Sequence, residues 1–289
     1  MLCQSLRCTA TTTASQRLRD LIRDHYVLPE QAARIADGLG EVNVPDDSAA
    51  QVFAERATAR LRELSTDRHL SVRHRPAGVL QPTEEAEYRR RYQREAVRNA
   101  GGISSVQRRA DGVGLLAIAP YLSPVPYIDA AFAVLAGVQR LVIDLREGRG
   151  GTPESVAYLC GFLLGDESVH LQDVVDRDGS GRPFWTSPRP GRLDLQVPVA
   201  VLTSTGTFSG CEELGYNLQA HGRARIIGET TGGGAHPCQA FPLTDVLEVS
   251  VPVARSVNAV TGTNWEGTGV RPDIECPADE ALDRALASA

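Results

Sequence analysis

The chain has 289 residues, 42% of them hydrophobic and 23% charged, with a formal net charge of -6 at neutral pH. That length can bury a sizeable core as one large domain or one and a half, and the composition is that of a globular protein. The acidic balance excludes the basic surface that nucleic-acid binding requires, and no segment is apolar for long enough to span a bilayer, so neither nucleic acid nor a membrane is an expected partner.

Two further facts of composition restrict the chemistry. The six cysteines, Cys3, Cys8, Cys160, Cys211, Cys238 and Cys276, form no C-x-x-C pair and no zinc-ligand rhythm, so buried thiols are expected, and neither a metal nor a cofactor. There is no lysine; all thirty basic residues are arginine. A guanidinium stays protonated and cannot act as a general base. A Ser-Lys dyad is therefore excluded, and a serine nucleophile would need one of the six histidines.

Residues 1–15 read as a disordered Ser/Thr-rich tail without the apolar core of a secretory signal, which makes the cytoplasm the expected compartment. Residues 16–76 read as an N-terminal helical subdomain: Leu18, Leu21 and Ile22 share one helical face, and Phe53, Ala57, Leu61 and Leu64 another. Pro29, Gly38, Gly40 and Pro45 divide the segment into about three helices. In L-S-T-D-R-H-L-S-V-R-H a short strand leaves the last helix, with His69, Ser71 and Arg73 on one face and Leu70, Val72 and His74 on the other. Residues 77–100 form a charged helical linker, whose Glu84–Asn99 stretch reads as a solvated helix.

From 101 to 289 the pattern is α/β. Strands are expected over 113–119 and 141–145, with helices over 128–137 and 154–164. The turn D-L-R-E-G-R-G-G carries Gly148, Gly150 and Gly151, which allow a tight backbone to present N–H groups inward. It lacks the G-K-[ST] and the spacing of a phosphate loop, and an oxyanion-binding turn fits better. Residues 165–198 read as an exposed excursion with hairpin character, where Phe184 and Trp185 either line a substrate groove or pin the loop as an aromatic cluster.

The centre of the chain is V-A-V-L-T-S-T-G-T-F-S-G-C-E-E-L at 199–214, a buried strand, a small-residue loop and a helix closed by Gly222. Ser209 sits at this strand-loop-helix junction, where helix amides can meet developing negative charge. With Glu212 it also satisfies a capping box, so a structural cap and a nucleophile are both open readings. A glycine-rich loop then carries His236, Leu247 to Val253 alternate as a strand, Glu266 lies in a turn-rich segment, and 277–287 close the chain as a helix.

Taken together, D-R-H-L-S-V at 67–72, V-I-D-L-R-E-G-R-G-G at 142–151, T-F-S-G-C-E-E at 207–213, I-I-G-E-T-T-G-G-G-A-H-P at 226–237 and W-E-G-T-G-V-R-P-D-I at 265–274 resemble the tail-specific, or C-terminal processing, serine peptidases, in the branch of tricorn core peptidases and interphotoreceptor retinoid-binding protein modules. D-H-Y-V-L-P-E at 24–30 resembles that branch's helical subdomain. The resemblance implies a crotonase-like (ClpP/crotonase) catalytic domain, with Ser209 as nucleophile, His69 as general base and Glu266 as the acid that orients it. It also implies an oxyanion hole from the Gly210 amide and one from Gly150 or Gly151. His236 and Trp185 are candidate substrate contacts. The chain departs from the family at Gly148, where asparagine is usual, and at Arg68, where tricorn-like enzymes have serine. The interval between Pro76 and Gly101 is too short for a PDZ domain.

The expected activity is a serine peptidase acting on peptides or unfolded protein tails through an acyl-enzyme, and homo-oligomer formation is compatible with it. Two other readings use the same residues: an esterase, amidase or cyclising enzyme on a small peptide-like metabolite, and a non-catalytic module holding an apolar ligand.

Overall fold

The apolar runs at the centre of the sequence become adjacent parallel strands. In the computed structural model, which describes residues 13–40, 50–79, 85–123 and 126–287, β5 (Arg140–Asp144) pairs in parallel with β9 (Val199–Thr203). β9 pairs in parallel with β10 (Arg225–Gly228), which pairs with β14 (Ile274–Glu275). On the other side of β5 lie β3 (Val113–Ile118), also parallel, and the antiparallel edge strand β2 (Ile103–Arg108). The order is β14-β10-β9-β5-β3-β2. Strand alternation divides these residues between two faces. Leu141, Ile143, Val199, Val201 and Ile226 face a core shared with α5 (Tyr127–Val134), α6 (Pro153–Cys160) and α7 (Gly210–Ala220). Val142, Ala200, Leu202 and Ile227 face α8 (Ala281–Ala287).

The expected helices are present but end early: α5 and α6 stop at Val134 and Cys160, short of Gly137 and Leu164. The excursion after Gly165 forms the hairpin β7 (His170–Asp176) and β8 (Gly181–Trp185), and β13 (Ala254–Asn258) completes its sheet. A two-residue pairing joins β4 (Tyr121–Leu122) to β6 (Gly150–Gly151).

The amino-terminal segment contains α1 (Ala14–His25), α2 (Pro29–Gly38) and α3 (Ala50–Leu64). Thr13 caps α1 by accepting from Gln16 N, so the helix takes in Ala14 and Ser15 of the expected tail; residues 1–12 lie outside the described residues. This segment does not bury its apolar faces within itself. Leu18, Ile22, Ile35, Phe53, Ala57 and Leu61 share a core with Val72 of β1 (Ser71–His74) and with Leu247, Val249 and Val251 of β12 (Leu247–Pro252). β1 pairs antiparallel with β12, and β12 with β11 (Cys238–Pro242). Strand β12, largely buried and from the far end of the chain, thus supplies the surface on which the helices rest. The linker helix α4 runs over Glu85–Arg98.

Leu61, 1% exposed in this second core, is expected to cost about 2–5 kcal/mol of stability when changed to alanine. Urea denaturation measures it. A loss below about 1 kcal/mol would show that the helices do not unfold with the sheets.

Candidate active site

Ligands of open α/β sheets bind at the carboxyl ends of the strands, and the two loops that matter here leave adjacent parallel strands at that edge. After β9 the loop 204–209 is tied to the loop after β5: Thr207 Oγ1 donates to Leu145 O at 2.8 Å, Ser204 Oγ to Arg146 O at 2.7 Å, and Phe208 N to Gly148 O at 3.1 Å. The chain then reverses sharply into α7 at Ser209, whose φ of 54° and ψ of -127° are unusual for a residue with a β-carbon. This is the strained strand-turn-helix elbow that lifts a side chain off the sheet edge.

Both readings of Ser209 find support. Glu212 reaches back to accept from Ser209 N at 2.8 Å, the carboxylate arm of the capping box. The Ser209 Oγ lies 2.9 Å from Nε2 of His69. His69 sits in the turn just before β1, on the core of the amino-terminal helices, with its ring tilted 4.6 Å from that of Phe208. Burial pushes its imidazole down to about 4; the Asp67 carboxylate opposes the shift, and His236, Arg73 and Arg68 add to it. The ring is therefore neutral at pH 7, as a proton acceptor must be.

The glycines flanking the elbow are required by contact. A β-carbon on Gly210 would lie 2.5 Å from Gly151 O and 2.6 Å from Gly151 N, and one on Gly150 would lie 3.7 Å from the Ser209 Cβ. The backbone of 150–151 thus lies directly against the Ser209 turn, bringing together the three expected oxyanion positions, Gly210, Gly150 and Gly151. At Gly148 a β-carbon would fall 2.6 Å from Cys211 Sγ. The cysteine occupies the space a larger residue would need, and its thiol donates to Gly150 O at 3.2 Å. Tyr121, 55% exposed, flanks Gly150.

Glu266 is placed differently from expectation. No hydrogen bond or ion pair within 4.0 Å joins it to His69 among the described residues; its Oε2 accepts from Ala235 N at 2.6 Å and lies 3.6 Å from His236 Nδ1. His236 is buried, 5% exposed, so it does not face a substrate, and its Nδ1 is 2.7 Å from Asp67 Oδ2. Trp185, 51% exposed, stacks on His170 with ring centroids 4.5 Å apart, the aromatic cluster that pins the hairpin. Asp67, His236 and Glu266 offer three ligand atoms within 4.8 Å of one another, the donor types of a cation site. The direct 2.7 Å contact of Asp67 with His236 uses two of those atoms and leaves no room for an ion between them.

Two acids on α7 are buried, of which the sequence motif indicated Glu212 only as a capping-box partner and Glu213 not at all. Glu212, 1% exposed, accepts from Ser209 N, Gly234 N, Gly233 N and Thr231 Oγ1, which fastens the elbow to the loop 231–234. The capping-box spacing indicated only the first of these. Its neighbour Glu213 is 3% exposed beside Gln172, and burial pushes its carboxyl up to about 8.

At the Ser209 backbone angles a residue without a β-carbon is favoured, so Ser209→Gly is expected to be more stable than Ser209→Ala by about 1 kcal/mol in chemical denaturation; the reverse order would remove the strained elbow. Glu213 binds a proton in the folded state up to about pH 8 but only to about pH 4.3 when unfolded. The stability it contributes is present below the lower value and is lost as pH rises to the upper one. Glu213→Gln should therefore gain on the native chain between pH 5 and pH 8 in thermal melts; parallel pH profiles would contradict a neutral Glu213.

Comparison with known proteins places the chain in a family. The model of peptidase family S41 matches residues 112–276. The chloroplastic carboxyl-terminal-processing peptidase 2 of Arabidopsis thaliana is 30% identical over 153 residues, 48% of this chain and 26% of that protein. The carboxy-terminal processing protease CtpB of Bacillus subtilis is 25% identical over 138 residues, 47% of this chain and 28% of that one. The chain thus spans between a quarter and a third of the length of these curated relatives. Among solved structures, a putative peptidase from Parabacteroides merdae superposes with a TM-score of 0.64 at 16% identity, covering 96% of each chain, and shares the fold. The photosystem II D1 C-terminal processing protease gives 0.57 at 16% identity, covering 95% of this chain and 97% of that one. With more than half of its length matched by the family model, the chain belongs to peptidase family S41.

Proposed function

We propose that this chain is a serine peptidase that cleaves peptides or unfolded protein tails through an acyl-enzyme on Ser209. The observation that carries the reading is the 2.9 Å contact of Ser209 Oγ with a neutral, buried His69 at a strained elbow. His69 Nε2 takes the hydroxyl proton as Oγ attacks the substrate carbonyl carbon, and the resulting imidazolium returns the proton to the leaving amine. A water then hydrolyses the ester by the same route. The Gly210 amide and one from Gly150 or Gly151 stabilise the oxyanion, and Glu266 stands behind the base beside His236. The names of the S41 relatives support a polypeptide end as substrate. The exposed Trp185 remains open to a long substrate.

The architecture is read as a crotonase-like domain, on the strength of its parallel sheet and flanking helices, with no PDZ insertion between β1 and residue 101. A cytoplasmic setting belongs to the same reading, supported by the four free thiols among the described residues.

Exposure to a fluorophosphonate followed by intact-mass measurement tests the proposal. One adduct is expected on the native chain and none on Ser209→Ala, with labelling slowed roughly 10²- to 10⁴-fold in His69→Ala. Because the active base is the neutral imidazole, the acid limb of the labelling rate should fall near pH 4, well below an ordinary histidine. No adduct on a folded native chain would overturn the hydrolase reading in favour of an apolar-ligand module.

A further inference from the structure

His69 presents one ring nitrogen to Ser209, and its other ring nitrogen is unaccounted for. Nδ1 is buried and has no hydrogen-bond partner among the described residues. A neutral base whose Nε2 must accept a proton carries its own proton on Nδ1, and that N–H needs an acceptor to hold the tautomer and to stabilise the imidazolium that forms. The carboxylate oxygen that approaches it is Oδ1 of Asp67, at 4.0 Å. The same oxygen accepts the His69 backbone N–H at 3.0 Å. Glu266 accepts from Ala235 N through Oε2, its buried Oε1 has no partner among the described residues, and no oxygen of it comes within 4.0 Å of a His69 ring nitrogen.

Asp67 is held on every side. Its backbone N–H donates to Ser65 Oγ at 3.1 Å, and its Oδ2 meets Tyr26 Oη at 3.2 Å and His236 Nδ1 at 2.7 Å. Its side chain is only 2% exposed, and a carboxylate this deep requires a compensating cation. His236 is placed to be that cation: it lies between Asp67 and Glu266, and the two acids bring its ring within 2.7 and 3.6 Å of their oxygens.

We propose that Asp67, braced by His236, is the carboxylate that orients His69, and that Glu266 acts one step further back by holding His236. Asp67 and His236 are then positioning residues. The inference rests on the reading of Ser209 and His69 as the reacting pair. A rotation of the His69 ring that shortens 4.0 Å to hydrogen-bond length completes the array, the kind of tightening that substrate binding produces at such sites.

The surrounding charges assign a direction to each substitution. His69 is faced by Asp67, which favours its protonated form, and by His236, Arg73 and Arg68, which disfavour it. His236 is faced by Asp67, Glu266 and Arg255; burial alone would lower it, but the Asp67 hydrogen bond and the two carboxylates outweigh burial and leave it raised. On Asp67 itself the Tyr26 hydroxyl packs from α1, and the Cys238 thiol of β11 senses its charge.

Two measurements on the full chain decide the matter. In ¹⁵N-histidine NMR of the native protein, His236 is expected to be doubly protonated at pH 7 and His69 to carry its proton on Nδ1, a tautomer lost in Asp67→Asn and kept in Glu266→Gln. In fluorophosphonate labelling, Asp67→Asn should slow the reaction by roughly 10²-fold or more and move the acid limb to lower pH, Asp67→Glu should restore part of the rate, and His236→Gln should move the limb to higher pH. Opposite shifts from the two variants are not produced by a general loosening of the fold. A larger loss in Glu266→Gln than in Asp67→Asn, or a neutral His236 at pH 7, would overturn the proposal. If the native chain fails to label, the peptidase reading falls, while the NMR tautomers still decide whether Asp67 holds His69; if Asp67→Asn does not fold, the Glu266→Gln spectrum decides, since loss of the His69 Nδ1 proton there would overturn the proposal.

Discussion

Holding His69 Nε2 2.9 Å from Ser209 Oγ requires two pieces of chain 140 residues apart to be fixed against each other. They belong to different hydrophobic cores. Ser209 leads α7, which packs with Cys211, Leu214 and Leu218 on the six-stranded sheet. His69 precedes β1, whose neighbours Leu70 and Val72 pack with the amino-terminal helices. Every other feature of the site bears on how the two cores keep register.

The loop 231–236 performs most of that work. At one end Glu212 gathers Thr231, Gly233 and Gly234 onto the nucleophile helix; at the other, Ala235 and His236 engage Glu266 and Asp67. A β-carbon on Gly234 would fall 2.7 Å from His69 Cε1 and 2.4 Å from the Phe208 ring, so the loop lies directly against both His69 and the turn that precedes Ser209. Trp265 Nε1 donates to Gly234 O at 2.8 Å and anchors the same loop in the main core. The arrangement concentrates buried charge: Asp67, Glu212, His236 and Glu266 lie around one short glycine-rich segment, and their hydrogen bonds to one another and to backbone amides offset what burial costs each of them.

Burial lowers the affinity of His69 for a proton and raises that of Glu266, to about 4 and about 7. The pair is therefore set against a simple charge couple, in which an ionised acid would raise its histidine. Near neutral pH the base is free to accept a proton without first losing one, and the carboxylate nearest its far side is the one already held by a second imidazole. The elbow at Ser209 adds local strain of about 1–3 kcal/mol, retained because the loop bonds to Leu145, Arg146 and Gly148 leave the turn no alternative path.

The sequence by itself determined the elements and pointed to Ser209 and His69, the two side chains that the fold then brings within 2.9 Å. Short, nearly continuous apolar runs at 141–145 and 199–202, 3.6-period faces in the amino-terminal helices and the glycines around Ser209 are local signals, and local backbone preference is strong enough to be read from them. The absence of lysine reduced the base to a histidine, and family resemblance then selected His69. Only the tertiary structure decided which acids surround that base, because Asp67, His236 and Glu266 are separated by up to two thirds of the chain and meet through packing that no local periodicity encodes. It likewise decided that β12 completes the core of the amino-terminal helices, that His236 is buried, and that Trp185 stacks on His170. Spacing carries information over a helical turn or along a strand; the charge balance of a buried site is a sum over neighbours, and neighbours are fixed only when the cores close.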